Sequence, residues 1–235
     1  MPETTPPTGP DGKNFTGNEK NEGLYSPGVL GKFYTPYVIW FSHRAAWGVS
    51  NKALHDNHRT HIGQNHLTVG PGNGYFLAKL PASTPLRTLR LLDLNRTCLD
   101  FTTQRVGRRF DTSTIEQDAL AAWPVDDGTL DSVDCHMMIH TLRGDIIGDK
   151  EELVAQAARV LKPGGVFFGA TILAQGPDVR PNALARKLMA LYNGQSNTFS
   201  NANDSSSDLK KVLERHFSRV EFEVQGCTGV WVATK

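Results

Sequence analysis

An α/β fold is the class this sequence predicts: a mostly parallel sheet with helices on both faces. Three observations predict it. Short apolar runs alternate with segments of helical periodicity from about residue 66 onward, the pattern of a sheet covered on both sides. A glycine-rich turn, Val69-Gly70-Pro71-Gly72-Asn73-Gly74, joins the first apolar run to the helix after it. Two strand patterns, Val220 to Val224 and Gly229 to Ala233, then follow one another directly as a terminal strand–strand pair.

Each element has its own warrant. Residues 1–22 are rich in Pro, Gly, Thr, Asn and charge and are expected to be a loose tail, with residues 23–235 forming one domain. Phe33, Tyr34, Tyr37, Val38, Ile39, Trp40, Phe41 and Trp47 make a dense aromatic segment, read as part of a helical cap over residues 23 to about 60. The first strand is expected at 66–69, a helix at 75–80 closed by Pro81, and a strand at 89–93. A helix at 95–107 follows, then strands at 110–115 and 132–136. Leu153, Ala157, Val160 and Leu161 recur at helical spacing. Leu161-Lys162-Pro163-Gly164-Gly165 ends that helix and turns into a strand at 166–172, because proline stops a helix and glycine accepts left-handed dihedrals. A short helix at 181–193 carries Leu184, Leu188 and Leu191 on one face, and Asn193 to Ser207 is expected to be a mobile loop. Leu209, Val212, Leu213 and Phe217 give the last helix its apolar side.

Composition narrows the class. The 235 residues carry 25 basic and 24 acidic side chains, a net charge of +1, which gives no reason to expect nucleic acid as partner. Arg105, Arg108 and Arg109 are the tightest basic group and read as the solvated end of a helix. Cys98, Cys135 and Cys227 show neither metal-site nor secreted-scaffold spacing. No apolar stretch reaches membrane-spanning length, so a soluble cytoplasmic protein, monomer or homodimer, is expected.

The glycine turn and Asp93, which closes the apolar run Leu89 to Leu92, describe a nucleoside ligand across the carboxyl ends of parallel strands. Bare backbone lets a ligand approach, and a carboxylate at the next strand tip accepts from both hydroxyls of a ribose. No Lys-Ser or Lys-Thr follows Gly74, which disfavours ATP hydrolysis. The even spacing at 70, 72 and 74, with Tyr75 next, fits a ligand without pyrophosphate better than a dinucleotide.

With Asp118-Ala119 after the third strand pattern and Leu161 to Gly165 before the fifth, residues 60 to 235 resemble the class I S-adenosylmethionine-dependent methyltransferases, in their small-molecule, secondary-metabolism branch. The resemblance implies a Rossmann-like seven-stranded, mostly parallel sheet with helices on both faces and an antiparallel last strand. It implies S-adenosyl-L-methionine as cofactor and S-adenosyl-L-homocysteine as product. Gly70, Pro71, Gly72 and Gly74 would line the methionine and ribose, and Asp93 would grip the ribose. Leu94 and Asn95 would flank the adenosine, Asp118 would address the adenine amino group, and Ala119 would lie beside the ring. Thr68 stands where the family usually has Asp or Glu, and its hydroxyl orders the loop or holds a water without supplying charge. Tyr25, Tyr34 and Tyr37 read either as cap packing or as a roof over the substrate.

Transfer from a sulfonium needs alignment and, for a protonated acceptor, removal of its proton. His136 and His140, at the end of the fourth strand, suit that task and are the catalytic candidates; each also reads as a structural histidine bonded within the core edge. His136 is expected to touch the cofactor as well. Met137, Leu184, Leu188 and Tyr192 suggest an apolar or aromatic small-molecule substrate. Asp134 lies inside a buried strand and must be paired or sit at its rim. His55, His58 and His61 are spaced three apart, but no carboxylate or cysteine pattern completes a set, so no metal is expected. The competing reading is a cyclase or pericyclic catalyst that retains the cofactor without transferring its methyl.

Overall fold

The computed structural model describes residues 43–194 and 198–235. The tail, most of the aromatic segment, and Tyr25, Tyr34 and Tyr37 lie outside the described residues.

A helix, α1 (Asn51–His61), starts where the Ser50 hydroxyl accepts from Ala53 N–H at 3.1 Å. The chain then alternates: β1 (Asn65–Val69), a single helical turn α2 (Tyr75–Ala78), β2 (Thr88–Asp93), α3 (Arg96–Val106) and β3 (Asp111–Glu116). Next come β4 (Leu130–His136), two 3₁₀ turns (Ile139–Thr141 and Ile147–Lys150), α4 (Glu151–Val160) and β5 (Leu161–Ile172). Helices α5 (Ala183–Asn193) and α6 (Ser206–His216) precede the closing hairpin of β6 (Arg219–Gln225) and β7 (Thr228–Thr234).

The seven strands form one sheet in the order β3-β2-β1-β4-β5-β7-β6, parallel except at β7, which runs antiparallel to both neighbours. On one face Leu67, Val69, Val133, Cys135 and Phe167 join α4 and α6 in the larger core. On the other, Leu89 and Leu91 pack against Leu99 and Val106 of α3, while Leu54 of α1 meets Ala170 of β5. Each fully buried leucine contributes roughly 1.5–3 kcal/mol.

The structure departs from several expectations. Leu161 is already extended and pairs with Leu130, so Pro163-Gly164-Gly165 forms an irregularity within β5 rather than a turn before it. Leu191 is 43% exposed, and the buried face of α5 is Ala185 and Met189, with Leu184, Leu188 and Tyr192 packed partly against the core. The described part of the Asn193–Ser207 segment is packed rather than free: Asn201 and Asp204 are fully buried. Polar composition misleads there because the polar groups are hydrogen-bonded inside, Asn201 Nδ2 donating to Ile172 O and Lys150 Nζ to Asp204 Oδ2. Arg105 and Arg109 are not merely solvated. Arg105 donates to Asn73 O in the glycine turn, and Arg109 to Ala78 O and Leu80 O at the end of α2.

Candidate functional site: a glycine turn, two strand-tip carboxylates and a buried histidine array

Gly70, Gly72 and Gly74 all take positive φ (69°, 56° and 66°), a region costly for other residues. They differ in what a side chain would meet. A Cβ on Gly74 would stand 2.8 Å from Thr102 Cγ2 in α3, and one on Gly70 would stand 2.6 Å from Met138 Cγ. Gly74 therefore serves close packing against α3. Thr102 Oγ1 donates to Gly72 O at 3.2 Å and Gly70 N–H to Leu92 O at 2.8 Å, which bolts the turn to the strand tips and to α3. Gly70, Pro71 and Gly72 stay half-buried.

At the tip of β2, Asp93 Oδ1 accepts from Asn95 N–H at 2.8 Å. Burial pushes its carboxyl up to about 6, with the backbone amides of Asn95 and Leu94 opposing. A desolvated carboxylate beside bare glycine backbone fits a ligand that brings hydroxyl donors, as a ribose does. Leu94 is 42% exposed, whereas Asn95 is an N-cap whose side chain accepts from Thr97 N–H at 2.9 Å. Asp118 accepts from Leu120 N–H at 2.8 Å and is ion-paired with Arg143 from the segment after β4, a partner no sequence pattern marked. Ala119 is 3% exposed and belongs to the larger core.

Beneath the turn lies a feature the sequence concealed. Asp134 of β4 is fully buried and faces three histidines. His66 Nε2 lies 2.8 Å from its Oδ1, while His136 Nδ1 at 3.0 Å and His58 Nε2 at 3.3 Å approach Oδ2. Ser132 Oγ stands 2.7 Å from His66 Nδ1, and Thr68 Oγ1 is 3.2 Å from His66 Nε2. Thr68 thus faces the array, opposite Asp134 in the β1–β4 register. Desolvation opposes the charge on Asp134, but the facing histidines outweigh it and hold the carboxyl well below its ordinary range. Burial, then the charge of His58, pushes His136 down to about 4.

His58 is only 2% exposed, and with Asp134 and His136 it brings three metal-ligating side chains within 4.8 Å of one another. The signal was available: Leu54 and Ile62, four residues to either side, place His58 on the buried stripe of its helix. His58 and His136 rings nevertheless stack with centroids 4.1 Å apart and 28° between planes. Distances of 2.8–3.3 Å to the Asp134 carboxylate link the rings as a hydrogen-bonded array.

His140 stands apart from it. The ring lies edge-on to Phe199 at 4.4 Å, its Nδ1 is 3.2 Å from Thr171 Oγ1, and burial pushes it down to about 3. Met137, beside His136, is the one non-glycine residue with positive φ among those described (56°), a strained geometry of the kind that collects at working sites.

Relatives give the site its chemistry. A family profile described as a methyltransferase domain matches residues 67–169. The demethylluteothin O-methyltransferase of Streptomyces thioluteus is 36% identical over 192 residues, spanning 80% of each chain. The N-methyltransferase vrtF of Penicillium aethiopicum is 33% identical, spanning 80% of this chain and 77% of its own. In fold, the chain resembles the geranyl diphosphate C-methyltransferase of Streptomyces coelicolor, solved with S-adenosyl-L-homocysteine (TM-score 0.57, 13% identity, 78% of this chain and 76% of that one). The two sequence relatives are named for transfer to oxygen and to nitrogen, so they do not agree on the acceptor atom. With its glycine turn, its strand-tip carboxylate and these relatives, the chain belongs to the class I S-adenosylmethionine-dependent methyltransferases of secondary metabolism, transferring the cofactor's methyl group to a small molecule.

Proposed function

We propose that the acceptor atom is a hydroxyl oxygen on an apolar or aromatic metabolite and that His136 takes its proton. One observation carries this reading. His136 Nδ1 is held by Asp134, while its Nε2 is buried with no hydrogen-bond partner. An unpaired buried nitrogen costs about 1–3 kcal/mol and calls for an explanation; a proton donor arriving with the substrate is one.

When bound, S-adenosylmethionine supplies a methyl group already activated by its sulfonium. The chain's residues then have to hold the donor, seat the acceptor and remove a proton. Gly70, Pro71, Gly72, Asp93, Leu94 and Asp118 would hold the cofactor; Met137, Leu184, Leu188 and Tyr192 offer apolar contacts for the acceptor. With hydrogen on Nδ1 toward the carboxylate, His136 presents a lone pair at Nε2. A ring pushed down to about 4 stays neutral, and ready to accept, throughout the neutral range. Asp134 then steadies the imidazolium that forms, as a carboxylate behind a histidine base does elsewhere. A carbon nucleophile has no such hydroxyl proton to surrender, and the O-methyltransferase name of the Streptomyces relative agrees with oxygen.

The test is His136→Ala in single-turnover assays with phenolic acceptors at saturating cofactor. Turnover should fall about 10²–10⁴-fold, the usual contribution of general base catalysis. Cofactor affinity by calorimetry should stay near parental, and parental turnover in the variant would remove His136 from the mechanism.

A further inference from the structure

The buried array also fixes where its protons are. His58 Nδ1 lies 3.0 Å from Leu54 O, one turn earlier in α1. A carbonyl only accepts, so Nδ1 carries hydrogen. On a neutral ring Nε2 would then be a lone pair, aimed at Asp134 Oδ2 across 3.3 Å. Two acceptors facing each other in a sealed interior repel, and a hydrogen must lie between them.

The other two rings leave that hydrogen no alternative owner among the histidines. Ser132 Oγ accepts from Gly63 N–H at 2.7 Å and keeps its own hydrogen for His66 Nδ1, so His66 donates from Nε2 to Asp134 Oδ1 as a neutral ring. His136 donates from Nδ1 to Oδ2 and leaves Nε2 bare. We infer that His58 is a resident imidazolium, paired with ionised Asp134, and that it acts as a positioning residue for the His136 base. Asp134 already faces His66 Nε2 at Oδ1 and His136 Nδ1 at Oδ2, so it stands among donors as an ionised carboxylate does.

The inference rests on the base reading of His136 and gives that base two properties. Asp134, held charged by His58, has both oxygens occupied by donors and keeps His136 in the Nδ1–H tautomer. The positive ring stacked 4.1 Å away also discourages a second positive charge on His136, so the base stays unprotonated until an acceptor delivers a proton. The groups facing His58 are Asp134 and His136 from β4 and His66 from β1, with His55 on its own helix. Phe76 and Phe168 close the remaining sides with uncharged rings.

Two measurements on the full chain test this. In ¹⁵N-histidine spectra at pH 7.5, the ring lost in His58→Gln should show two protonated nitrogens, His136 only Nδ1–H and His66 only Nε2–H. A His58 ring with a bare Nε2, or a molar equivalent of tightly bound zinc in the purified protein, overturns the inference. In kinetics, His58→Gln keeps a donor to Asp134 but removes the charge, so the acid limb of turnover should move up by about one pH unit. Lowered turnover with an unmoved limb would assign His58 a structural part only. The spectra do not depend on catalysis, so a failure of the His136 base reading appears in His136→Ala turnover and is separable from a failure here.

Discussion

As the proposed ribose grip, Asp93 would carry a charge state that its ligand must favour. Burial raises its carboxyl to about 6, whereas ribose hydroxyls donate only to acceptors and so stabilise the ionised form. Binding and deprotonation are therefore linked: affinity for S-adenosylmethionine should be level above about pH 7 and weaken as pH falls through 6. Replacing Asp93 with Asn should abolish that dependence and cost about 1.5–3 kcal/mol at pH 8, roughly ten- to hundredfold in Kd. Calorimetric titrations from pH 5.5 to 8 on both proteins check it. Asp118 is a different case. Its carboxylate is already shared by Arg143 and Leu120 N–H, so a ligand amino group placed there would join an existing ion pair rather than meet a waiting charge.

At the scale of elements, one buried ion pair ties the second half of the chain together. Lys150, at the end of a 3₁₀ turn, is 2% exposed, and its Nζ donates at 2.6 Å both to Asp204 Oδ2 and to Ser200 O. That clamps the segment before α6 to the segment before α4, and it orders Phe199 against Trp47, His140 and Tyr192. The Lys150→Met change preserves bulk but strands a buried carboxylate, so urea denaturation should show a loss of about 3–5 kcal/mol. Adding Asp204→Leu should restore much of it, because an apolar pair needs no counter-charge. Both residues were passed over in the sequence, where an asparagine- and serine-rich stretch reads as solvent-facing. Composition reports what a segment contains; it does not report that Asn193, Asn201 and Ile172 O close their hydrogen bonds on one another.

For the molecule as a whole, the histidines and the raised carboxylates pull stability in opposite directions with pH. Burial lowers His136 to about 4 and His140 to about 3. The unfolded chain binds protons there below about pH 6.5 while the folded one does not, so stability is present above that pH and drains as pH falls toward 4. Asp93 and Asp204, both raised to about 6 by burial, oppose the loss, since the folded chain takes up their protons first. Urea midpoints should drop from pH 7.5 to pH 5, and in Asp93→Asn the drop should be steeper. The same division separates what the sequence disclosed from what it hid. The succession of strands and helices, the glycine turn and the place of Asp93 at a strand tip follow from local patterns, because apolar period and turn chemistry act over a few residues. The array around Asp134 joins α1, β1 and β4, and Arg143 meets Asp118 from another loop; such meetings exist only once the sheet is assembled.

One feature of that assembly governs how the protein is made. The strand last in sequence, β7, is not last in space: it lies between β5 and β6. During synthesis β5 emerges and aligns beside β4 with its other edge bare, and it stays bare until the ribosome has passed α5, α6 and β6. Over that interval a row of unpaired amides and carbonyls, flanked by Phe167 and Phe168, is open to any extended neighbour. A chain cut before Thr228 would retain the glycine turn, Asp93 and the histidine array, yet would carry that open edge permanently. Such a fragment is expected to pair with its own kind and precipitate rather than bind cofactor.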